Sequence, residues 1–207
     1  MTAQQESVFK PRGGILRQSN RVMNLAHMVR QNARRFPDRA GLIWADKVLS
    51  WKAIDAAVSA LAAGLAQAGL VKGDRLLVHS KNSDEMFFSM LAAFRLGAVW
   101  VPTNFRLMPD EVIYLAEFSG AKGFLCHGDF PDHAAAVAKE VKSCDFIWRF
   151  GAGDFGSQTV GDVIARHQGE AFADAAVDYN DPCWFFFTSG TTGRSKASVL
   201  THGQMAF

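Results

Sequence analysis

The stretch from residue 75 to residue 102 decides the fold: Arg75-Leu76-Leu77-Val78-His79, then Asn82 to Leu96, then Gly97-Ala98-Val99-Trp100-Val101-Pro102. The first run is short and apolar at its centre, as a buried strand requires, and it follows a Gly73-Asp74 turn. Asn82 with Glu85 three residues later reads as a capping box opening a helix that runs to Leu96, and Gly97 closes it. A second apolar strand ending at Pro102 completes a strand-helix-strand unit, whose natural form is a right-handed crossover between parallel strands.

Outward from this unit the same alternation continues. On the C-terminal side, Pro109 with Asp110 and Glu111 starts a helix that stops at Gly120, because proline pre-sets φ and the acids suit the positive end of the helix dipole. Lys122 to Cys126 reads as a strand, Phe130 to Val141 as a helix, Asp145 to Phe150 as a strand and Val160 to His167 as a short helix. On the N-terminal side, Ser50 caps a helix with Ile54, Val58, Leu61 and Leu65 at helical spacing, ended by Gly69. Before it, 41–45 and 48–51 flank Asp46-Lys47 as a hairpin, and Asn24 caps a helix carrying Leu25, Met28, Val29 and Phe36 that stops at Pro37. The class is α/β, with a mostly parallel sheet covered by helices on both faces.

Composition excludes several functions. The 207 residues carry a net charge of +2 with Lys and Arg scattered, which is no nucleic-acid footprint. Cys126, Cys144 and Cys183 are odd in number and widely spaced, as reduced thiols of a cytoplasmic protein are. Residues 1–20 lack the apolar core of a secretory signal, and the longest apolar run, Met86 to Phe94, is too short to cross a bilayer. These features predict no transmembrane segment and leave peripheral membrane contact and homo-oligomerisation open.

The chemistry concentrates in Phe185-Phe186-Phe187-Thr188-Ser189-Gly190-Thr191-Thr192-Gly193-Arg194-Ser195-Lys196-Ala197. Three bulky residues read as a buried strand. The turn after it gathers the hydroxyls of Thr188, Ser189, Thr191 and Thr192, the permissive backbone of Gly190 and Gly193, and the ammonium of Lys196. Many short donors with one mobile cation suit an oligophosphate. Two residues separate the glycines, so the spacing is not that of the common P-loop, which needs four. The bland alternative is a surface turn rich in Ser, Thr and Gly.

Thr-Ser-Gly-Thr-Thr-Gly-Arg-Ser-Lys-Ala resembles the phosphate loop of the adenylate-forming superfamily, whose usual form is Thr-Ser-Gly-Thr-Thr-Gly-x-Pro-Lys-Gly. Ser195 and Ala197 are departures. Residues 49–54 and 94–102 resemble the same family in order, so the likeness covers almost the whole chain. It implies the first part of the large N-terminal domain of an acyl-CoA synthetase: a polar tail at 1–22, an α/β region at 23–180, and at 181–207 a strand, the phosphate loop and the start of a helix. It further implies ATP, Mg²⁺, CoA and a carboxylic acid as ligands, with an acyl-adenylate formed first and its acyl group then transferred to CoA. An amino-acid or aryl-acid adenylation domain and a nucleotide-binding module without turnover are the alternatives. The family's ribose-binding aspartate, Mg²⁺-ligating glutamate and C-terminal lysine follow the phosphate loop, and residues 198–207 contain none of them. The resemblance therefore implies a fragment, without identifiable catalytic residues, that does not complete adenylation alone. If the family's backbone is kept, Ala197 carries strain where glycine would allow positive φ.

Two other patterns compete. Gly151-Ala152-Gly153-Asp154-Phe155-Gly156 satisfies the dinucleotide fingerprint, but helical spacing begins only after Thr159, so no helix N-terminus faces a pyrophosphate. Cys126, His127, Asp129 and His133 form a group that matches no standard zinc spacing, so no metal site is assigned.

Overall fold

The computed structural model describes residues 21–188 and 195–206. In chain order the elements are β1 (Arg21–Val22), α1 (His27–Arg35), β2 (Ala40–Trp44), β3 (Lys47–Ser50), α2 (Trp51–Gln67), β4 (Arg75–His79), α3 (Asp84–Leu96), β5 (Val99–Pro102) and α4 (Pro109–Ser119). They continue with β6 (Gly123–His127), α5 (Pro131–Glu140), β7 (Phe146–Phe150), α6 (Val160–Arg166), β8 (Val177–Asp178), β9 (Pro182–Thr188), β10 (Lys196–Thr201) and α7 (His202–Ala206).

The central sheet has the order β10-β9-β5-β4-β6-β7. Every neighbouring pair is parallel except β9 with β10. Alternating side chains of each strand serve opposite faces. Leu76, Val78, Trp100, Leu125 and Trp148 join the buried residues of α1, α2, α3 and α6 on one side. Leu77, Val101, Phe124, Cys126 and Phe185 join those of α4 and α5 on the other. Both faces are therefore covered, as the α/β alternation predicts.

Local chemistry fixes the ends of the helices. Ser50 Oγ accepts the Ala53 N–H at 3.2 Å, and Gly97 ends α3 with φ at 70°, a conformation that costs glycine little. A Cβ at Gly64 would lie 2.2 Å from Val163 Cγ1, so the absence of a side chain lets α6 close on α2.

Several local readings are corrected. Asn24 lies ahead of the N-cap position of α1, which is Ala26, and its Oδ1 accepts the Ala26 N–H at 3.0 Å. Its buried amide nitrogen donates to the carbonyls of Phe94 at 2.6 Å and Ala175 at 3.2 Å, because a short polar side chain can reach the carbonyls at the end of α3 and before β8. Asn82 does not open α3: Ser83 Oγ accepts the Met86 N–H at 3.0 Å, while Glu85 accepts the Gly151 N–H at 3.0 Å. The first hairpin turns at Ala45, with φ of 48°, one residue earlier than expected.

The strand before the candidate loop is not buried throughout. Phe185 is 3% exposed and Phe186 51%, since β9 alternates between a packed and an open side. Lys196–Thr201, expected only as an approach to a helix, is a strand that pairs with β9. It covers the edge of β9 away from β5.

One buried charge network ties the irregular segment before β8 to the helices. The Arg95 side chain is wholly buried; it reaches Asp55 Oδ1 at 2.5 Å, Ser59 Oγ at 2.6 Å and Asp174 Oδ1 at 3.1 Å. Asp174 also meets Arg30 at 3.3 Å and His27 at 3.0 Å. A buried guanidinium is tolerable only with such partners.

Candidate phosphate site

The candidate loop joins β9 to β10 at the carboxyl end of the parallel strands, where open α/β sheets place their ligands. Thr188 ends β9 and Lys196 begins β10; the two are register partners, and both are exposed. They form the base of the loop and face solvent, free to meet an anion. Ser189, Gly190, Thr191, Thr192 and Gly193 lie outside the described residues. Ser195 stands at the exit, its carbonyl oxygen 3.4 Å from the hydroxyl of Tyr114 on α4. The sequence reading missed Tyr114, because nothing in local spacing links a mid-helix tyrosine to a turn far along the chain.

Ala197 corrects the expectation of strain. It lies in β10 opposite Phe187, and among the described residues Ala45 is the non-glycine residue with positive φ. Its methyl packs with Phe187 and Val199 against the buried cluster under α4 and α5. Alanine thus suits an extended, half-buried position.

At the carboxyl end of β4 the buried His79 stacks on the half-buried His133 of α5. The Thr103 hydroxyl donates to Val78 O at 3.2 Å, so its oxygen accepts from His79 Nδ1–H at 2.6 Å. His133 donates from Nε2 to Leu107 O at 2.8 Å and stacks on His79 with ring centroids 4.4 Å apart. His79 Nε2 and His133 Nδ1 are then buried without a hydrogen-bond partner among the described residues. Burial, with the neighbouring His133 second, holds His79 down at about 4.

The competing patterns are occupied by structural bonds. Gly151 donates to Glu85, Arg149 Nε donates to Gly151 O at 3.2 Å, and α6 begins only at Val160, capped by Thr159 Oγ1 on the Asp162 N–H at 3.0 Å. This glycine-rich loop follows the edge strand β7, at the far side of the sheet from β9. Cys126 donates to Phe130 O at 3.5 Å and is pushed up to about 12 by burial, Asp129 takes the ammonium of Lys81 at 2.6 Å, and His133 is committed to Leu107. Among the described residues no three His, Cys, Asp or Glu side chains are arranged to hold a metal.

A mostly parallel sheet covered by helices, with the hydroxyl-rich, lysine-ended stretch of sequence joining β9 to β10, defines an α/β protein with a candidate anion site. The model of the AMP-binding enzymes matches residues 29–207, and the chain belongs to that family. It is similar to feruloyl-CoA synthase of an Amycolatopsis species, 31% identical over 177 residues, which are 86% of this chain and 33% of that protein. It is 28% identical over 199 residues to a medium/long-chain-fatty-acid–CoA ligase of Mycobacterium tuberculosis, with 91% of this chain and 31% of the ligase covered. With surfactin synthase subunit 3 of Bacillus subtilis it shares 25% identity over 189 residues, 91% of this chain and 14% of that one.

Among solved structures, O-succinylbenzoate coenzyme A synthetase from Bacillus subtilis, in complex with AMP, superposes with a TM-score of 0.68 at 26% identity, covering 84% of this chain and 42% of that one. An anthranilate CoA ligase in complex with anthranoyl-AMP shares the fold, with a TM-score of 0.81 at 21% identity over 87% of this chain and 35% of that one. The chain spans about a third of the length of the two CoA-ligase relatives. Among the described residues no helix is long and apolar enough to cross a membrane.

Proposed function

We propose that the chain supplies the ATP phosphate site of an acyl-CoA synthetase. Thr188, Ser189, Thr191 and Thr192 donate hydroxyls, Gly190 and Gly193 let backbone N–H groups approach, and Lys196 supplies a positive charge to the β- and γ-phosphates. In the reaction an acid's carboxylate oxygen attacks the α-phosphorus and pyrophosphate leaves; the thiol of CoA then attacks the acyl carbonyl and AMP leaves. Mg²⁺, when bound, offsets phosphate charge. The chain's own donors act by orienting the leaving pyrophosphate and stabilising the charge that develops on it. The observation that carries this reading is the pairing of exposed Thr188 and Lys196 at the carboxyl end of the parallel sheet. The fatty-acid and aryl-acid CoA ligases among its relatives support the thiol-ligase form.

The likeness to a surfactin synthase subunit favours a second reading, an amino-acid adenylation domain. Acid-dependent exchange of labelled pyrophosphate into ATP separates the two. It is measured on the 207-residue chain and on the natural gene product with fatty, aryl and amino acids. Exchange with fatty or aryl acids, followed by CoA-dependent release of AMP, is the expected result for the gene product. Exchange with amino acids alone would favour the second reading, and none with any acid by the gene product would contradict both.

A further inference from the structure

Helix α4 touches both strands that flank the phosphate loop. Tyr114 and Phe118, four residues apart, lie on one face with ring centroids 5.8 Å apart. Phe118 meets Phe187 of β9 edge-on at 6.0 Å, and the Tyr114 hydroxyl reaches Ser195 O, beside β10, at 3.4 Å. Phe187 is the partner of Ala197 and Thr188 that of Lys196, so the two contacts bracket the base of the hairpin. The helix itself is fixed. Pro109 begins it, Glu111 accepts the Met108 N–H at 2.7 Å, and Val112, Leu115 and Ala116 are buried in the core beneath.

We propose that Tyr114 is a positioning residue for Lys196, acting through the carbonyl of Ser195. That oxygen belongs to the planar peptide that joins Ser195 to Lys196, so holding it fixes the orientation of the lysine's own backbone nitrogen. The first residue of an edge strand otherwise frays with little cost. Lys196 is exposed and has no core packing of its own to set its direction. Ser195 also stands where the family motif has proline, whose ring would restrain the same point of the chain. Here a side chain from α4 supplies the restraint from outside the loop. The inference rests on the reading of this loop as a phosphate site only for its effect on ATP.

Tyr114→Phe removes the hydroxyl and keeps the ring, and hydrogen exchange of the whole chain reads the result amide by amide. The amides of Lys196 and Ala197 are expected to exchange about three- to tenfold faster, the yield of one ordinary hydrogen bond, while those of β4 and β6 keep their rates. In the same variant Mg·ATP affinity, measured by calorimetry, is expected to fall about two- to fivefold with an unchanged melting temperature. Unchanged exchange at Lys196 and Ala197, or acceleration spread evenly over β4 and β6, would overturn the assignment. So would faster local exchange with ATP affinity unaltered. Failure of the wild-type chain to bind ATP would instead contradict the proposed function, and exchange at Lys196 would still decide whether Tyr114 holds that peptide.

Discussion

Acidification from pH 7.5 to pH 5 should destabilise this protein through two buried histidines. His79 and His202 are both wholly buried, and each is held at about 4 instead of the ordinary 6.5. Burial is the main cause in both; His133 adds to it at His79, and at His202 the attraction of Asp181 is outweighed. Among the described residues neither ring nitrogen of His202 has a hydrogen-bond partner, and His79 Nε2 has none, so a proton added to either ring finds no acceptor there. In the unfolded chain both rings take up a proton as pH falls through 6.5, while in the folded chain they stay neutral until about 4. The unfolded state therefore binds more protons between these values, and stability falls with pH across that window. At pH 5 each histidine costs about 2 kcal/mol and the pair about 4 kcal/mol, a large part of the 5–15 kcal/mol that holds an ordinary domain together. Urea titrations at pH 7.5, 6 and 5 measure the loss. The His79→Asn, His202→Gln double variant should lose about 4 kcal/mol less than the wild type over this range. An identical pH dependence in both proteins would refute the argument.

Arg95→Met, which keeps the length of the side chain and removes its charge, should cost about 3–5 kcal/mol in denaturant titration, because Asp55 and Asp174 lose their buried partner. A loss under 1 kcal/mol would show that the network is more solvated than its burial indicates. Ala197→Gly, although it restores the family motif, should destabilise the chain by about 0.5–1 kcal/mol, since Ala197 is extended and packed; a gain in melting temperature would contradict its placement in β10.

Much of this fold was legible because its signals are local. Ser50 beside an apolar helix, Pro109 with two acids, and Gly97 and Gly120 after helical runs each act within one turn, and each stands where the sequence placed it. Asn24 was read only in part, since its Oδ1 takes the nearby Ala26 N–H while its amide nitrogen does not stay local, and Glu85 was misread. Their partners, Phe94 and Gly151, lie 70 and 66 residues away, and a side chain that can satisfy a nearby or a distant group declares neither in sequence. Strand β10 left a weak trace in the half-buried Val199 beside the exposed Ser198, masked by the glycine- and hydroxyl-rich turn before it. In the candidate site the residue types pointed to phosphate, and the structure places Thr188 and Lys196 together at its base. Tyr114 became visible only once α4 was packed beneath the hairpin.

The claim that the loop between β9 and β10 holds the phosphates of ATP turns on Lys196. A charge-assisted contact to phosphate is worth about 1.5–3 kcal/mol, so Lys196→Ala should weaken Mg·ATP binding roughly ten- to a hundredfold. The side chain is exposed, so its loss should leave the melting temperature of the free chain unchanged. Calorimetric titration of both proteins with Mg·ATP reads this directly: the account predicts the weakened affinity, and equal affinity in the two would remove the loop from the site.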